Sequence, residues 1–303
     1  MVNKNPKILI IGDIILDKYS YWEITRLNPE SSAPLLNILN EEYLLWWAAN
    51  AARNIANLSW SCDLYWIIGN DFNWRLLQEL FKKNHIKFIW RALKWVDTIL
   101  KQRFIDIGYD HQILRADYEK KIQNLHLKDS QIEVDFDDYE YIIISDYAKG
   151  TITEDIMSLV YSSWKPVFFD GKSTNLNLFK GAFLVKPNFR EFCNLIGKNI
   201  QNIDSEVWEY WLTLAQRLDT NLLITRGSKG ASLITKSHEI HHIPTIAKEI
   251  YDVTGAWDTF IATVCYGISI WMNLIDAIKL WNKGSAIVIW KIGTQAITKN
   301  ELF

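Results

Sequence analysis

In the stretch Lys7-Ile8-Leu9-Ile10-Ile11-Gly12-Asp13, four aliphatic residues in succession end at a glycine and an acidic residue. A short aliphatic run that stops at a small or polar residue is typical of a strand buried on both faces of a parallel sheet. The same pattern recurs along the chain. It predicts further strands at Leu64 to Ile68, Tyr141 to Ser145, Val167 to Asp170, Phe183 to Lys186 and Leu222 to Thr225.

Segments with helical periodicity lie between these strands. They are Ala48 to Leu58, Asn73 to Asn84, Glu154 to Ser163 and Ser205 to Leu218. This alternation predicts an α/β fold in which a doubly wound, mostly parallel sheet is flanked by helices. In such folds ligands bind at the carboxyl ends of the strands.

Two segments break this rhythm, residues 19–43 and 90–118. Alternating residues in the second segment indicate exposed antiparallel strands. We expect the two segments to form a small β lid over the ligand edge of the sheet. Because no internal repeat or linker divides the chain, its 303 residues predict a single domain, 1–303, with the lid inserted.

Charge and cysteine content narrow the classes of function. The formal net charge of -2 gives no basic field, so we expect neither nucleic acid nor a membrane surface as partner. No apolar run approaches the ~20 residues that a membrane span needs. The three cysteines are an odd number without a CxxC pair, which argues against a disulfide framework or a zinc site. These features predict a cytoplasmic protein.

Tryptophan is unusually frequent, with 15 residues against 13 glycines. Several tryptophans occupy turns where a backbone with φ > 0, and hence glycine, is usual, for example Trp60 and Trp164. Counting the tryptophans as glycines would give an ordinary glycine content. Our hypothesis is that the gene uses UGA as a glycine codon and that the written sequence translates it as tryptophan. The alternative is a chain that is truly rich in tryptophan.

The strongest chemical signal is Asp252-Val253-Thr254-Gly255-Ala256-Trp257-Asp258-Thr259-Phe260, which is followed by an apolar helical pattern. A tight turn that enters a helix directs several N–H groups at one point, where the helix dipole also favours negative charge. This is a candidate anion hole for a transferring phosphoryl group. Asp258 would then act as general base towards a substrate hydroxyl. The alternative is that Asp258 only caps the helix.

This segment resembles the C-terminal signature of the ribokinase-like (PfkB) carbohydrate kinases, and the resemblance covers nearly the whole chain. Four further stretches resemble the heptose 7-phosphate kinase branch of that family: Ile11-Gly12-Asp13 with Leu16-Asp17, Arg26-Leu27-Asn28-Pro29-Glu30, Ser145-Asp146-Tyr147-Ala148-Lys149-Gly150, and Lys186-Pro187-Asn188-Phe189-Arg190-Glu191. The resemblance implies that Asp258 is the base and that Gly255, Ala256 and Trp257 form the anion hole. Trp257 departs from the family's glycine there.

On the nucleotide side, the resemblance implies ATP as phosphoryl donor and Mg²⁺ as its metal. Glu191 is the implied carboxylate near Mg²⁺, directly or through water, since Mg²⁺ prefers oxygen ligands. The implied nucleotide-binding residues are Asn188, Phe189, Arg190, Glu191, Thr225, Gly227, Gly230 and Asn282. Each of these residues also has a simpler structural interpretation. Asn188 could form a turn, and Glu191 could be a carboxylate in the first turn of a helix. The glycines could form a hairpin turn, and Asn282 could be a solvated residue on a helix.

On the sugar side, carboxylates can accept hydrogen bonds from hydroxyls, and guanidinium groups suit a sugar phosphate. Trp46, Trp47 and Asn50 fall on the family's Gly-Gly-x-x-Asn sugar loop. The candidate sugar-binding residues are Asp13, Asp17, Trp46, Trp47, Asn50, Arg103, Arg115, Lys149, Asp170 and Lys172. For the two arginines, a charged strand edge is the alternative. The pair His241-His242 is not a metal site, because neighbouring strand residues point to opposite faces.

These residues predict a kinase for a sugar phosphate, with D-glycero-β-D-manno-heptose 7-phosphate as the implied substrate. Another sugar of the ribose or fructose type is the alternative within the class. If Trp257 is real, a catalytically dead sugar- or nucleotide-binding protein is the alternative of another class. We expect no nucleotidyltransferase domain in this sequence and a homodimer formed through the lid.

Overall fold

The computed structural model describes residues 6–29, 34–58, 61–109, 111–120, 122, 134–246, 256–288 and 296–302. The strands are β1 (Lys7–Gly12), β2 (Ile14–Leu27), β3 (Pro34–Trp47), β4 (Ser61–Ile68), β5 (Lys87–Ala92), β6 (Leu100–Asp106), β7 (His111–Tyr118), β8 (Tyr141–Asp146), β9 (Val167–Gly171), β10 (Leu184–Val185), β11 (Asn221–Thr225), β12 (Ala231–Ile234) and β13 (Ile240–Ile243). The helices are α1 (Ala48–Asn57), α2 (Phe72–Lys83), α3 (Glu154–Ser162), α4 (Phe189–Ile196), α5 (Asp204–Leu218), α6 (Ala256–Ser269), α7 (Leu274–Val288) and α8 (Lys299–Leu302).

The main sheet has the strand order β13-β12-β11-β10-β9-β8-β1-β4-β5. Its strands from β11 to β5 pair in parallel, and only the β11–β12 and β12–β13 pairs are antiparallel. The chain moves outward from β1 in both directions, so the sheet is doubly wound, as the sequence predicts. The predicted strand at Phe183 to Lys186 is shorter than expected, since only Leu184–Val185 pairs as a strand.

Hydrophobic side chains bury both faces of the sheet. In β1, Ile8 and Ile10 belong to one core cluster, which also contains residues of α1 and α6. Leu9 and Ile11 belong to a second cluster on the opposite face, with residues of α3 and α5. The four-residue aliphatic run is therefore buried on both sides, which explains why it lacks a polar alternation. None of the described helices is both long and apolar enough to span a bilayer.

The lid is a four-stranded sheet with the order β3-β2-β6-β7. Its boundaries correct the sequence prediction. The lid begins at Ile14 rather than at residue 19, and its first segment extends to Trp47 rather than to residue 43. Residues 90–92 belong to β5 of the main sheet, and the lid strand β6 begins at Leu100. Within the second segment, β6 and β7 pair antiparallel, as the sequence predicts, whereas β2 and β6 run parallel.

Among the described residues, which do not include Trp60, three tryptophans adopt backbone angles that favour glycine. They are Trp47 with φ 58°, Trp164 with φ 58° and Trp271 with φ 71°. Trp164 and Trp271 follow the ends of α3 and α6 and are 93 % and 94 % exposed, so their indoles gain almost nothing by packing. At such helix ends a left-handed residue is normally glycine. This geometry supports the hypothesis that glycine belongs at these positions.

Replacing these two exposed tryptophans tests that hypothesis. We predict that Trp164→Gly and Trp271→Gly each raise the free energy of unfolding by about 1 kcal/mol, because glycine has no left-handed penalty. Trp208→Gly is the matched control, because Trp208 lies inside α5 and is 42 % exposed. There glycine should lower stability by about 1 kcal/mol. Urea denaturation measures all three, and a loss of stability in the first two variants would contradict the hypothesis.

Candidate active site

Asp13 lies at the carboxyl end of β1 and organises the loop that follows β8. Its buried carboxylate accepts hydrogen bonds from the backbone N–H groups of Tyr147 (2.8 Å), Lys149 (3.0 Å) and Thr151 (3.3 Å). Burial raises the pKa of Asp13, and these donors oppose that rise. Asp13 therefore sits where the sequence predicts a sugar ligand, but its oxygens already hold the Tyr147–Thr151 loop in place.

Asp17 and Arg103 bind each other inside the lid. Arg103 Nε donates to both carboxylate oxygens of Asp17, at 3.0 and 3.2 Å, and both side chains are buried. Desolvation raises the pKa of Asp17, whereas the charge of Arg103 lowers it. Arg115 pairs with Asp117 at 2.8 Å and is more exposed. The lid therefore brings three of the predicted sugar-binding residues to one region, with Asp17 and Arg103 already paired.

The predicted sugar loop joins β3 to α1. Trp47 is the residue before the first turn of α1, with φ 58° and ψ -128°. Its indole is 3 % exposed and stacks on Tyr147, with ring centroids 3.8 Å apart and planes inclined by 9°. Trp46 lies against Arg103, whose Cζ is 4.7 Å from the ring centroid. Asn50 is buried in the first turn of α1. The two indoles thus occupy the space between lid and sheet.

A buried ion pair joins the ends of two neighbouring strands. Lys186 Nζ lies 3.0 Å from Asp170 Oδ1, and the side chains of Lys186 and Asp170 are 2 % and 12 % exposed. Desolvation raises the pKa of Asp170 to about 6, and the charge of Lys186 lowers it. Lys186 also lies 5.7 Å from the ring of Phe260 in α6. Sequence reasoning missed Lys186, although its place directly before Pro187 and Asn188 was a usable signal.

Asn188 and Glu191 form a reciprocal cap on α4. Asn188 Oδ1 accepts from Glu191 N–H at 2.9 Å, and Glu191 Oε2 accepts from Asn188 N–H at 2.8 Å. Glu191 is thus held by one oxygen, and both residues are only partly buried. Phe189 is half-buried and Arg190 is exposed. The cap fixes this helix N-terminus without using every polar atom of the two side chains.

The turn after β11 lies beside that cap. Thr225 forms a parallel bridge with Asn188, and its N–H donates to Pro187 O at 3.1 Å. Gly227 has φ 64° with open space beside its Cα, so a ligand can approach the backbone there. Gly230 has φ 77°, and a Cβ would lie 2.2 Å from Ile243 O. The predicted nucleotide residues of β11 and α4 therefore lie together.

Asn282 is buried in α7 rather than solvated. Its Nδ2 donates to Pro244 O at 2.6 Å, which ties α7 to the segment that follows β13. The predicted anion-hole helix is α6, which begins at Ala256. Gly255 lies outside the described residues, as do the side chains of Ala256, Trp257 and Asp258. The sequence thus places Asp258 in the first turn of a described helix.

His241 and His242 lie in β13, where His242 is exposed, as predicted, but His241 is half-buried. Within the described ranges, no group of three or more His, Cys, Asp or Glu side chains is arranged to hold a metal ion. The three cysteines are free and buried.

The doubly wound sheet, the polar side chains at its carboxyl edge and the β lid together define a ribokinase-like architecture. The family model described as pfkB family carbohydrate kinase matches residues 47–301. The chain belongs to the pfkB family of carbohydrate kinases.

Two curated relatives extend this similarity. The chain is 34 % identical to the bifunctional protein HldE of Haemophilus influenzae (strain PittEE) over 305 residues, which is 99 % of this chain and 63 % of that protein. It is 34 % identical to HldE of Vibrio parahaemolyticus over 301 residues, covering 97 % of this chain and 62 % of the relative. The chain therefore spans less than two thirds of the length of these relatives.

Solved structures share the fold at low sequence identity. Ribokinase from Thermotoga maritima superposes with a TM-score of 0.75 at 19 % identity and covers 98 % of both chains. Phosphofructokinase-2 from Escherichia coli in complex with potassium gives a TM-score of 0.80 at 14 % identity, covering 98 % of this chain and 97 % of the other. The ribokinase-like fold predicted from the sequence is confirmed.

The Asp170–Lys186 pair predicts a pH dependence of stability. In the folded protein the pKa of Asp170 is about 6, above its ordinary value of 3.8. The protonated carboxyl group therefore contributes stability below pH 3.8, and this contribution is lost as the pH rises through about 6. Asp170→Asn should remove this loss, on the order of 2 kcal/mol between about pH 4 and pH 7.

Urea denaturation at a series of pH values compares this variant with the unmodified chain. Glu79→Gln, which changes an exposed carboxylate on α2, is the control and should leave the profile unchanged. Parallel profiles for the unmodified chain and Asp170→Asn would show that Asp170 does not titrate as described.

Proposed function

We propose that the protein transfers the γ-phosphoryl group of ATP to the 1-hydroxyl of D-glycero-β-D-manno-heptose 7-phosphate, giving the 1,7-bisphosphate. The observation that carries the proposal is the 34 % identity to HldE proteins across 97–99 % of the chain. The segment from Ser145 to Gly150, which resembles the heptose 7-phosphate kinase branch of the family, adds support. Asp13 holds the loop that contains this segment at the carboxyl edge of the sheet. Another sugar phosphate of similar shape would use the same chemistry.

The proposed reaction is an in-line displacement. The 1-hydroxyl gives its proton to the Asp258 carboxylate while its oxygen forms a bond to the γ-phosphorus. The bond between that phosphorus and the β–γ bridging oxygen breaks, and ADP leaves with its electron pair. The N-terminus of α6 stabilises the negative charge on the transferring group, because its N–H groups lack partners within the helix.

The nucleotide is proposed to lie along α4 and the turn after β11. Asn188, Phe189, Arg190 and Glu191 would meet its phosphates at the capped start of α4. The open backbone at Gly227 allows close approach, whereas Gly230 keeps the turn tight. Glu191 holds its cap through one oxygen, so the other could hold a Mg²⁺ ion directly or through water. Bound Mg²⁺ would neutralise phosphate charge.

Lys186 supplies a buried positive charge near the N-terminal part of α6. It lies between Asp170 and the ring of Phe260, two residues beyond Asp258 in α6. A cation fixed in a poorly solvated place stabilises developing negative charge more strongly than one in water. We assign Lys186 to the charge that builds up on the transferring phosphoryl group, with Asp170 as its positioning partner.

Whether the chain is catalytically active depends on whether tryptophan or glycine occupies the 15 positions. We propose that glycine belongs at these positions, which the left-handed backbone at Trp47, Trp164 and Trp271 supports. With the written residues, the indole of Trp47 fills space between the lid and the sheet on the sugar side, so the alternative without catalysis that remains is a nucleotide-binding protein. The two versions of the chain therefore separate the two functions.

A coupled ADP-release assay tests the kinase. The chain with glycine at all 15 tryptophan positions should phosphorylate the heptose 7-phosphate, and the written chain should not. In the glycine version, Asp258→Asn should lower kcat about 10²- to 10⁴-fold, because the general base is lost.

Asp258 lies in the first turn of α6, so Asp258→Asn removes only a favourable interaction with the helix dipole of up to about 1 kcal/mol and should change the melting temperature little. It should also keep the affinity for ATP. Full activity in Asp258→Asn would remove Asp258 as base, and no turnover on any sugar phosphate by the glycine version would remove the kinase proposal.

The lid is also the proposed dimer surface. Its strands expose apolar side chains, among them Ile24, Ile38, Leu39, Ile113 and Leu114. A second copy of the chain would cover such side chains when two lids pack together. We predict that Leu39→Lys shifts the protein from dimer to monomer in sedimentation velocity, whereas the surface control Lys236→Gln does not. A monomer before any substitution would contradict the proposal.

A further inference from the structure

Arg226 lies inside the turn after β11, but its side chain is closed to a ligand. It stands between Thr225, the last residue of β11, and Gly227, beside which there is open space. The guanidinium group is fully buried, with 0 % of the side chain exposed. Burying a cation is costly unless hydrogen bonds and an opposite charge compensate for the lost hydration. The contacts of this buried charge therefore indicate its role.

Three hydrogen bonds connect the guanidinium group to neighbouring elements. Nε donates to Asn202 Oδ1 at 2.7 Å, and Nη1 donates to Asp204 Oδ1 at 2.5 Å. Nη1 also donates to Ser232 Oγ in β12 at 3.1 Å. Because Asp204 is the first residue of α5, Arg226 attaches the turn both to the start of a helix and to the adjacent strand.

Asn202 also holds the backbone of Arg226. Its Nδ2 donates to Arg226 O at 3.3 Å, while its Oδ1 accepts from the guanidinium group. The N–H of Arg226 donates to Gly230 O at 2.7 Å, and Lys229 Nζ donates to Asn202 O. Arg226 is therefore held at its backbone N–H, at its backbone carbonyl and at its side chain.

The two glycines of this turn have a conformational freedom that a bound ligand must remove. Gly227 has φ 64° and Gly230 has φ 77°, and glycine loses more freedom than any other residue when it is ordered. Order that exists before binding lowers this cost. The contacts of Arg226 supply such order. None of them involves a tryptophan, so they do not depend on which residue occupies the 15 positions.

We infer that Arg226 is the positioning residue of the nucleotide site, which orders the backbone at Gly227 for ATP without touching ATP itself. The inference rests on the proposed kinase function and assigns part of the nucleotide affinity to one buried residue. Asp204 stays accessible to water, with 58 % of its side chain exposed, so loss of the arginine leaves no carboxylate buried without a partner. An apolar replacement should therefore weaken nucleotide binding in a protein that still folds.

Calorimetry with ADP tests the inference without turnover. In the chain with glycine at all 15 tryptophan positions, Arg226→Met should weaken ADP binding about tenfold, because the turn must then be ordered on binding. In the kinase assay, the KM for ATP should rise by a similar factor, while kcat and the KM for the sugar phosphate stay nearly unchanged. Arg217→Met, at an exposed position of α5, is the matched control and should change none of these values.

A double variant tests whether Arg226 acts through Asn202. Asn202→Ala combined with Arg226→Met should bind ADP about as weakly as Arg226→Met alone, because both changes remove the same contact. Additive losses of affinity would contradict this. If Arg226→Met does not fold, Arg226→Lys replaces it with the same expected result, since lysine keeps the charge but lacks the planar fork of donors.

Unchanged ADP affinity in the Arg226 variant would overturn the inference. An equal loss of affinity for ADP and for the sugar phosphate would also overturn it, because this result indicates a general disturbance of the fold. ADP binding that depends on Arg226 in a protein without turnover supports the positioning role and contradicts the kinase. Turnover with a KM for ATP that does not depend on Arg226 contradicts the positioning role alone.

Discussion

The candidate active site depends on the hydrogen bonds that the buried carboxylate of Asp13 accepts. Asp13 stands between the last residue of β1 and the first residue of β2, so it separates the main sheet from the lid. Its side chain accepts three backbone N–H groups of the loop after β8, and its carbonyl oxygen accepts Ala48 N–H at the start of α1. Gly12 permits this arrangement, because a Cβ there would lie 2.2 Å from Ser145 O. Sheet, lid and both loops of the sugar side therefore meet at one residue.

The backbone of Asp13 also fixes the conformation of residue 47. Because Asp13 O holds the N–H of Ala48 and the lid strand β3 ends at Trp47, the chain must turn sharply between them. The required φ and ψ suit glycine, and the written indole is carried into the space above Tyr147. The same constraint that builds the sugar side thus explains why a tryptophan at this position matters more than the exposed tryptophans at helix ends.

Local sequence patterns predicted the elements well. The aliphatic run of β1 predicted a buried strand, because this pattern acts over a few residues. The reciprocal cap of Asn188 and Glu191 acts over an equally short range, although from the sequence its two residues are interpreted as part of a nucleotide motif rather than as a reciprocal cap. The partnership of Asp17 with Arg103 joins residues 86 apart in the chain, and no local pattern reports such a pair. Similarly, the parallel pairing of β2 with β6 depends on how the lid segments meet in space.

We propose that this kinase fold is built with glycine where tryptophan is written, above all beside Asp13 and in the first turn of α6. The intact mass of the protein isolated from its native organism tests this most directly. The mass should fall below that of the written sequence by one tryptophan-to-glycine difference for each of the 15 positions. A mass equal to that of the written sequence would contradict the claim.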